Sequence, residues 1–265
     1  MKKSFKILAV VLALVLVGTV FAACGKKAEK EPESKSNTET SLKTVTNGKL
    51  TMATESTFPP YEYMEGKDIV GIDVEIAQLI AKKLGLELVV VDTEFKSIIP
   101  GVQSGKYDMG MAGMTVDAER LKDADFSSSY AKGVQVVIVK DGGAVNSIDD
   151  IKGKKIGVQE ATTGDIYASD DFGEDAVIRY ENGAVAIEAL KSGKVDCVII
   201  DKEPAKSFVA ANEGLKILDT SYADEDYAIC FKKGNAELKN AVDKALVELI
   251  NEGEVKKIID KYIPA

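Results

Sequence analysis

The chain has 265 residues, with 43 Asp plus Glu against 34 Lys plus Arg, no His, no Trp and three Cys, for a net charge of −9. So acidic a chain lacks the basic face that neutralises nucleic-acid phosphates, and no nucleic-acid partner is expected; the absence of His removes Ser-His-Asp, Cys-His and His-ligated metal chemistry together. Cys24, Cys197 and Cys230 form no CxxC pair and no disulfide framework, so neither a metal nor a cofactor is expected.

Met1–Lys6 is basic and Ile7–Ala23 carries no charge, the plan of a signal peptide over residues 1–23. An uncleaved anchor is the alternative, at the short limit for a membrane span. The run ends in Phe21-Ala22-Ala23-Cys24-Gly25, which resembles a bacterial lipobox with Phe where Leu is usual. Cys24 is therefore expected to carry lipid and to hold the protein at the extracellular face of the cell membrane. Residues 24–46 are rich in Lys, Glu, Ser and Thr and hold few apolar side chains, which predicts a disordered tether spanning ~25 Å.

From Lys49 onward, short apolar runs alternate with amphipathic helices. Lys49–Ala53 predicts a strand. Val74, Ala77, Ile80, Ala81 and Leu84 have helical spacing, with Asp73 as expected N-cap and Gly85 as stop, and Leu86–Val91 predicts the next strand. Such alternation predicts parallel α/β layers. A repeat 88 residues apart, Val102-Gln-Ser-Gly-Lys-Tyr-Asp108 and Leu190-Lys-Ser-Gly-Lys-Val-Asp196, predicts two lobes of one design, each with helix, glycine stop and buried strand. Polar turns follow both strands, and ligands of open α/β sheets bind beyond strand carboxyl ends. Leu238, Val242, Ala245, Leu246 and Leu249 predict a C-terminal helix, with a shorter one after Gly253.

Cys197 and Cys230 lie in apolar strand patterns and read as buried small side chains, a bridge between them remaining open. Arginine is scarce: Arg120 and Arg179 are the only two. Arg120 follows a strand-to-loop junction, where a guanidinium with hydroxyl and amide donors beside it suits a carboxylate. Spacing alone equally allows an ion pair with Asp117 or Glu119 on a solvated helix.

Six stretches, FPPYEY (58–63), VGIDVEIA (70–77), GMAGMTVDAER (110–120), DFSSSY (125–130), KKIGVQEATTGD (154–165) and GKVDCVIIDKEPA (193–205), resemble in order the polar-amino-acid solute-binding proteins of ABC importers. The resemblance implies a two-lobed, periplasmic-binding-protein-like α/β fold of type II with a two-strand hinge. Its expected lobes are 47–136 with 229–265, and 137–228, with crossings near Val136–Val139 and Tyr227–Cys230. It further implies a monomer that binds a free amino acid and passes it to ABC permease subunits, without enzymatic activity. An exported dehydratase for prephenate- or arogenate-like acids is the alternative on the same fold.

By the same resemblance Arg120, with Thr115 and Thr163, is expected to clamp the ligand carboxylate, and Asp201 with the Gly113 carbonyl to hold its α-ammonium. Phe58 and Phe95 are expected as aromatic walls and Glu55 near the far end, with Tyr61, Ala112 and Gln159 as further candidates. Ala161 stands where relatives place glycine, and a positive φ there would strain it. With Arg120 and Asp201 engaged by the two charges common to all amino acids, Glu55 is left for a cationic side chain, favouring arginine or lysine over glutamine or cystine.

Overall fold

Strands rich in Val, Ile and Met and helices with one apolar face assemble here into two α/β lobes. The structure, a computed structural model, describes residues 42–219 and 221–264; the expected signal segment, Cys24 and the tether up to residue 41 lie outside them. Residues 42–46, expected in the tether, pack on the body: Leu42 lies against the first hydrophobic core, and the Val45 N–H donates to Asp108 Oδ1 at 2.7 Å. One apolar side chain and one tertiary acceptor dock a segment that is polar by composition.

The first lobe opens with β1 (Lys49–Thr54) and a small antiparallel sheet of β2 (Thr57–Phe58), β3 (Glu62–Glu65) and β4 (Asp68–Val70). Helix α1 (Ile72–Lys83) buries Val74, Ala77, Ile80 and Ala81 as their spacing predicts. Asp73 is not its cap: Gly71 holds that position, and the Asp73 carboxylate is fully buried, accepting from the Gly113 N–H and the Tyr130 hydroxyl. Local pattern marks the start of this helix, but tertiary donors claim the side chain. β5 (Glu87–Asp92), α2 (Ile98–Gln103), β6 (Met109–Gly110), α3 (Arg120–Asp123) and β7 (Ala124–Phe126) follow.

Beyond residues 127–130 the chain builds the second lobe. Its elements are β8 (Ala131–Lys140), β9 (Ile156–Gln159), α4 (Thr163–Phe172), β10 (Val177–Tyr180), α5 (Gly183–Lys191), β11 (Cys197–Asp201), α6 (Lys202–Ala211), β12 (Leu215–Ile217) and β13 (Ala223–Tyr227). It then returns to the first lobe as β14 (Cys230–Lys232), α7 (Ala236–Asn251) and α8 (Glu254–Tyr262). The first sheet has the order β5-β1-β6-β14-β7 and the second β10-β9-β11-β8-β12, with β13 also on β8.

The outward crossing expected at Val136–Val139 lies earlier, because all of β8 pairs inside the second sheet, with β11, β12 and β13. Its apolar run reads as a connector in sequence and is in fact the buried middle of that sheet. The return lies between β13 (Ala223–Tyr227) of the second sheet and β14 (Cys230–Lys232) of the first. The two crossing segments bond to each other, Ser127 N–H to Ile229 O at 3.0 Å and Tyr130 N–H to Tyr227 O at 2.9 Å, which makes the hinge two-stranded.

Both arms of the internal repeat have the expected form: α2 and α5 each end before a glycine at φ +76°, Gly105 and Gly193, and lead into β6 and β11. Cys197 and Cys230 are buried, free and in different sheets, so the bridge left open by sequence does not form. Among the described residues no helix is long and apolar enough to cross a membrane.

Candidate functional site

β1 runs parallel to β5 and β6, and β9 runs parallel to β10 and β11. The turns beyond their carboxyl ends face a common cavity between the lobes, the place where open α/β sheets present their ligand groups. Glu55 and Ala112-Gly113 come from the first sheet, Gln159, Thr163 and Asp201 from the second, and Phe58, Phe95, Thr115 and Arg120 from the first lobe's loops and short elements. Tyr61 stands behind this wall, its ring stacked on Phe58 at 5.8 Å and edge-on to Tyr227 at 5.3 Å.

Arg120 opens α3 and is 8% exposed. Its Nε lies 3.3 Å from Asp117 Oδ2, one terminal nitrogen donates to the Thr115 carbonyl at 2.8 Å, and the other to the Ala161 carbonyl across the cleft at 3.0 Å. The arginine thus pairs with Asp117, buried and not on a solvated helix face, and lines the cavity. A guanidinium has five N–H donors; the two carbonyls engage one on each terminal nitrogen and the Asp117 contact is an ion pair without a hydrogen bond, so the second N–H of each terminal nitrogen remains for an anion. Its charge sits 5.2 Å from the Phe95 ring centre, a cation–π contact that orients the plane. Opposite, Thr162 caps α4 and Thr163 begins it, so the positive end of a helix faces the same space.

Asp201 ends β11 and caps α6 by accepting from the Glu203 N–H at 3.1 Å. Its Oδ2 accepts from the Val134 N–H at 2.9 Å and the Tyr227 hydroxyl at 2.5 Å. Burial nevertheless pushes its pKa up to about 6, against the lowering effect of these donors. Glu55 accepts from Thr57 Oγ1 at 2.6 Å and from Gln159 Nε2 of the other lobe at 3.4 Å, and burial raises its pKa as well. Gly113, at φ +51°, lies where an added Cβ would be 2.8 Å from the Phe58 ring, so only glycine lets this wall close.

Ala161 is the one non-glycine residue with positive φ, +66°, among the described residues. The turn is held by Asp165, which accepts the Ala161 N–H at 3.0 Å, and by Arg120 on the Ala161 carbonyl. Replacing Ala161 by Gly is expected to stabilise the protein by about 1 kcal/mol in denaturant unfolding, because glycine adopts this conformation without a steric penalty. Destabilisation would show that the turn carries no strain.

Sequence reading missed several lining residues. Glu62 lies inside the FPPYEY stretch and is fully buried. Gln135 interrupts the apolar run of β8, a polar residue in a buried strand, and donates to Glu225 at 3.0 Å. Glu225 and Tyr227 stand two apart on β13, hence on one face. Among the described residues no cluster of His, Cys, Asp and Glu could hold a metal ion.

The lobes touch around the cavity through Lys96 and Glu160 at 2.8 Å, besides the Arg120–Ala161 and Glu55–Gln159 contacts. The model of the bacterial extracellular solute-binding proteins, family 3, matches residues 50–265. The arginine-binding extracellular protein ArtP of Bacillus subtilis is 33% identical over 258 residues, 95% of this chain and 96% of that protein. The ABC transporter glutamine-binding protein GlnH of the same organism is 30% identical over 273 residues, 99% of this chain and 98% of that one. Among solved structures, the arginine-, lysine-, histidine-binding protein ArtJ of Geobacillus stearothermophilus superposes with a TM-score of 0.78 at 36% identity, covering 82% of this chain and 96% of that one.

Proposed function

We propose, for a chain that belongs to the bacterial extracellular solute-binding proteins, family 3, that it binds a free basic amino acid, arginine or lysine, between its lobes and delivers it to an ABC importer. It is a binding protein and not an enzyme, so the dehydratase alternative falls. The observation that carries the choice of ligand is charge. Four carboxyl groups, Glu55, Glu62, Asp201 and Glu225, line the cavity against a single cation, Arg120.

Every free amino acid brings one carboxylate and one ammonium, which leave that excess of negative charge unchanged. A cationic side chain reduces it and an anionic one worsens it, at a buried site where unpaired charge is costly. In this reading the ligand carboxylate takes the two free N–H groups of Arg120 with Thr115 and Thr163. The α-ammonium meets Asp201 and the Gly113 carbonyl, and the side chain passes Phe58 and Phe95 toward Glu55. Arg120 and Asp201 belong to different lobes, so ligand stabilises the closed form by its differential affinity for it. The names of ArtP and ArtJ support a basic ligand; that of GlnH keeps glutamine as its competitor. Lipid attachment at Cys24, supported by Phe21-Ala22-Ala23-Cys24, would hold the receptor beside its permease.

Titration calorimetry with arginine, lysine, glutamine and glutamate tests this. Arginine or lysine is expected to bind at least ~10-fold tighter than glutamine, a difference of about 1.4 kcal/mol, and glutamate not to bind. Tighter binding of glutamine overturns the choice of ligand. In Glu55→Gln, arginine is expected to lose about 10-fold or more and glutamine less than about threefold. Equal losses would remove Glu55 from charge recognition.

A further inference from the structure

Glu62 and Asp73 form an acid pair that the roles above do not use. Glu62 leads β3, Asp73 lies in the first turn of α1, and neither side chain is exposed. Asp73 Oδ2 accepts from the Gly113 N–H at 2.9 Å and the Tyr130 hydroxyl at 2.8 Å. Asp73 Oδ1 and both Glu62 oxygens have no donor of their own. The Asp73 N–H donates to the carbonyl of Tyr61, the residue before Glu62, at 3.0 Å, which makes the two buried acids neighbours.

Two buried carboxylates in contact cannot both ionise without a counter-charge. The groups around Glu62 supply none: Asp73 on α1, Glu55 beyond β1, Tyr61 beside it and Tyr130 from the hinge. Across the cavity stand Asp201, Glu225, Tyr227 and Arg120, whose guanidinium is already shared between Asp117 and two carbonyls. One proton resolves the arrangement. Placed on one Glu62 oxygen and donated to Asp73 Oδ1, it joins two of the three orphaned oxygens in one bond. Asp73 is the ionised member, because two donors already stabilise its charge; burial beside Asp73 raises Glu62 far above the ordinary carboxyl range.

We propose that Glu62 and Asp73 hold this single proton in the unliganded protein and release it to solvent when a basic amino acid enters, so that Glu62 is a specificity-determining residue that reads ligand charge. The inference rests on the proposed amino-acid binding. A cationic side chain supplies the missing counter-charge to the Glu62 carboxyl, one positive charge entering as one leaves. A neutral side chain brings no such charge, and the proton stays. The pair also reaches the hinge through Tyr130 and the cavity floor through Gly113, so its state is felt where the lobes pivot.

Calorimetry at pH 7.5 in phosphate and in Tris, which differ in ionisation enthalpy, reads the proton directly. Asp201 is ionised at that pH with or without ligand and contributes little. For arginine the enthalpy is expected to differ between buffers by the equivalent of half to one proton released, and for glutamine by none. Glu62→Gln is expected to abolish the buffer dependence of the arginine binding enthalpy. Should that variant fail to fold, Asp73→Asn is expected to do the same, and the wild-type buffer dependence stands as a test by itself. Arginine binding with buffer-independent enthalpy, or release that persists in Glu62→Gln, overturns the inference and leaves the proposed function intact. Failure of every amino acid to bind overturns both.

Discussion

Arg120→Ala is expected to weaken every amino acid by about 2–5 kcal/mol, roughly 30-fold to several thousand-fold, because the ligand carboxylate would be buried without its partner. The guanidinium has a second task that enlarges the effect. It bonds the Thr115 carbonyl in its own lobe and the Ala161 carbonyl in the other, and so spans the cleft from one side to the other. Without it the closed arrangement loses one of its inter-lobe bonds as well as its anion site. Arg120→Lys separates the two contributions. It keeps the charge and loses the planar fork, so affinity is expected to fall between wild type and Arg120→Ala. Calorimetry reads the affinities, and far-ultraviolet circular dichroism verifies that the variants fold. Affinity within about threefold of wild type in Arg120→Ala would remove the clamp.

What the sequence made legible is what repeats or alternates. The 88-residue repeat marks two strands whose carboxyl ends open onto one cavity, and it leads to Gly113 in one lobe and Asp201 in the other. Arg120 stands out by rarity, and the structure places it facing the same cavity as Asp201. Illegible were residues whose direction depends on which face of a strand is inward. Glu62, Gln135 and Glu225 are not singled out in the sequence, yet each is nearly or fully buried. Only the packing of one lobe on the other turns those faces into a wall. The misplaced hinge has the same origin: an apolar run states that a strand is buried and leaves open which sheet buries it. Asp73 adds a case in which a local signal, an acid at a helix start, is overridden by donors from Gly113 and Tyr130.

Asp201→Asn is expected to remove amino-acid binding and at the same time to change how stability depends on pH. Burial holds the native Asp201 pKa at about 6, against an unperturbed value of 3.8. Between those values the native state keeps a proton that the unfolded chain has released, so stability falls as pH rises through that window and the loss is complete above about 6. A shift of two units corresponds to an order of 2–3 kcal/mol. The variant lacks this titration. Its side chain gives up one of the bonds to Val134, Tyr227 or Glu203, at a cost of about 1 kcal/mol that is the same at every pH. The variant is therefore expected to be the less stable protein at pH 4 and the more stable one at pH 7.5, in urea unfolding without ligand. Parallel pH profiles would show that Asp201 carries no burial penalty. A carboxylate that costs stability when unliganded acts as one whose partner arrives from outside: an α-ammonium supplies the missing charge and draws the pKa back down, so amino-acid affinity is expected to weaken as pH falls below about 6.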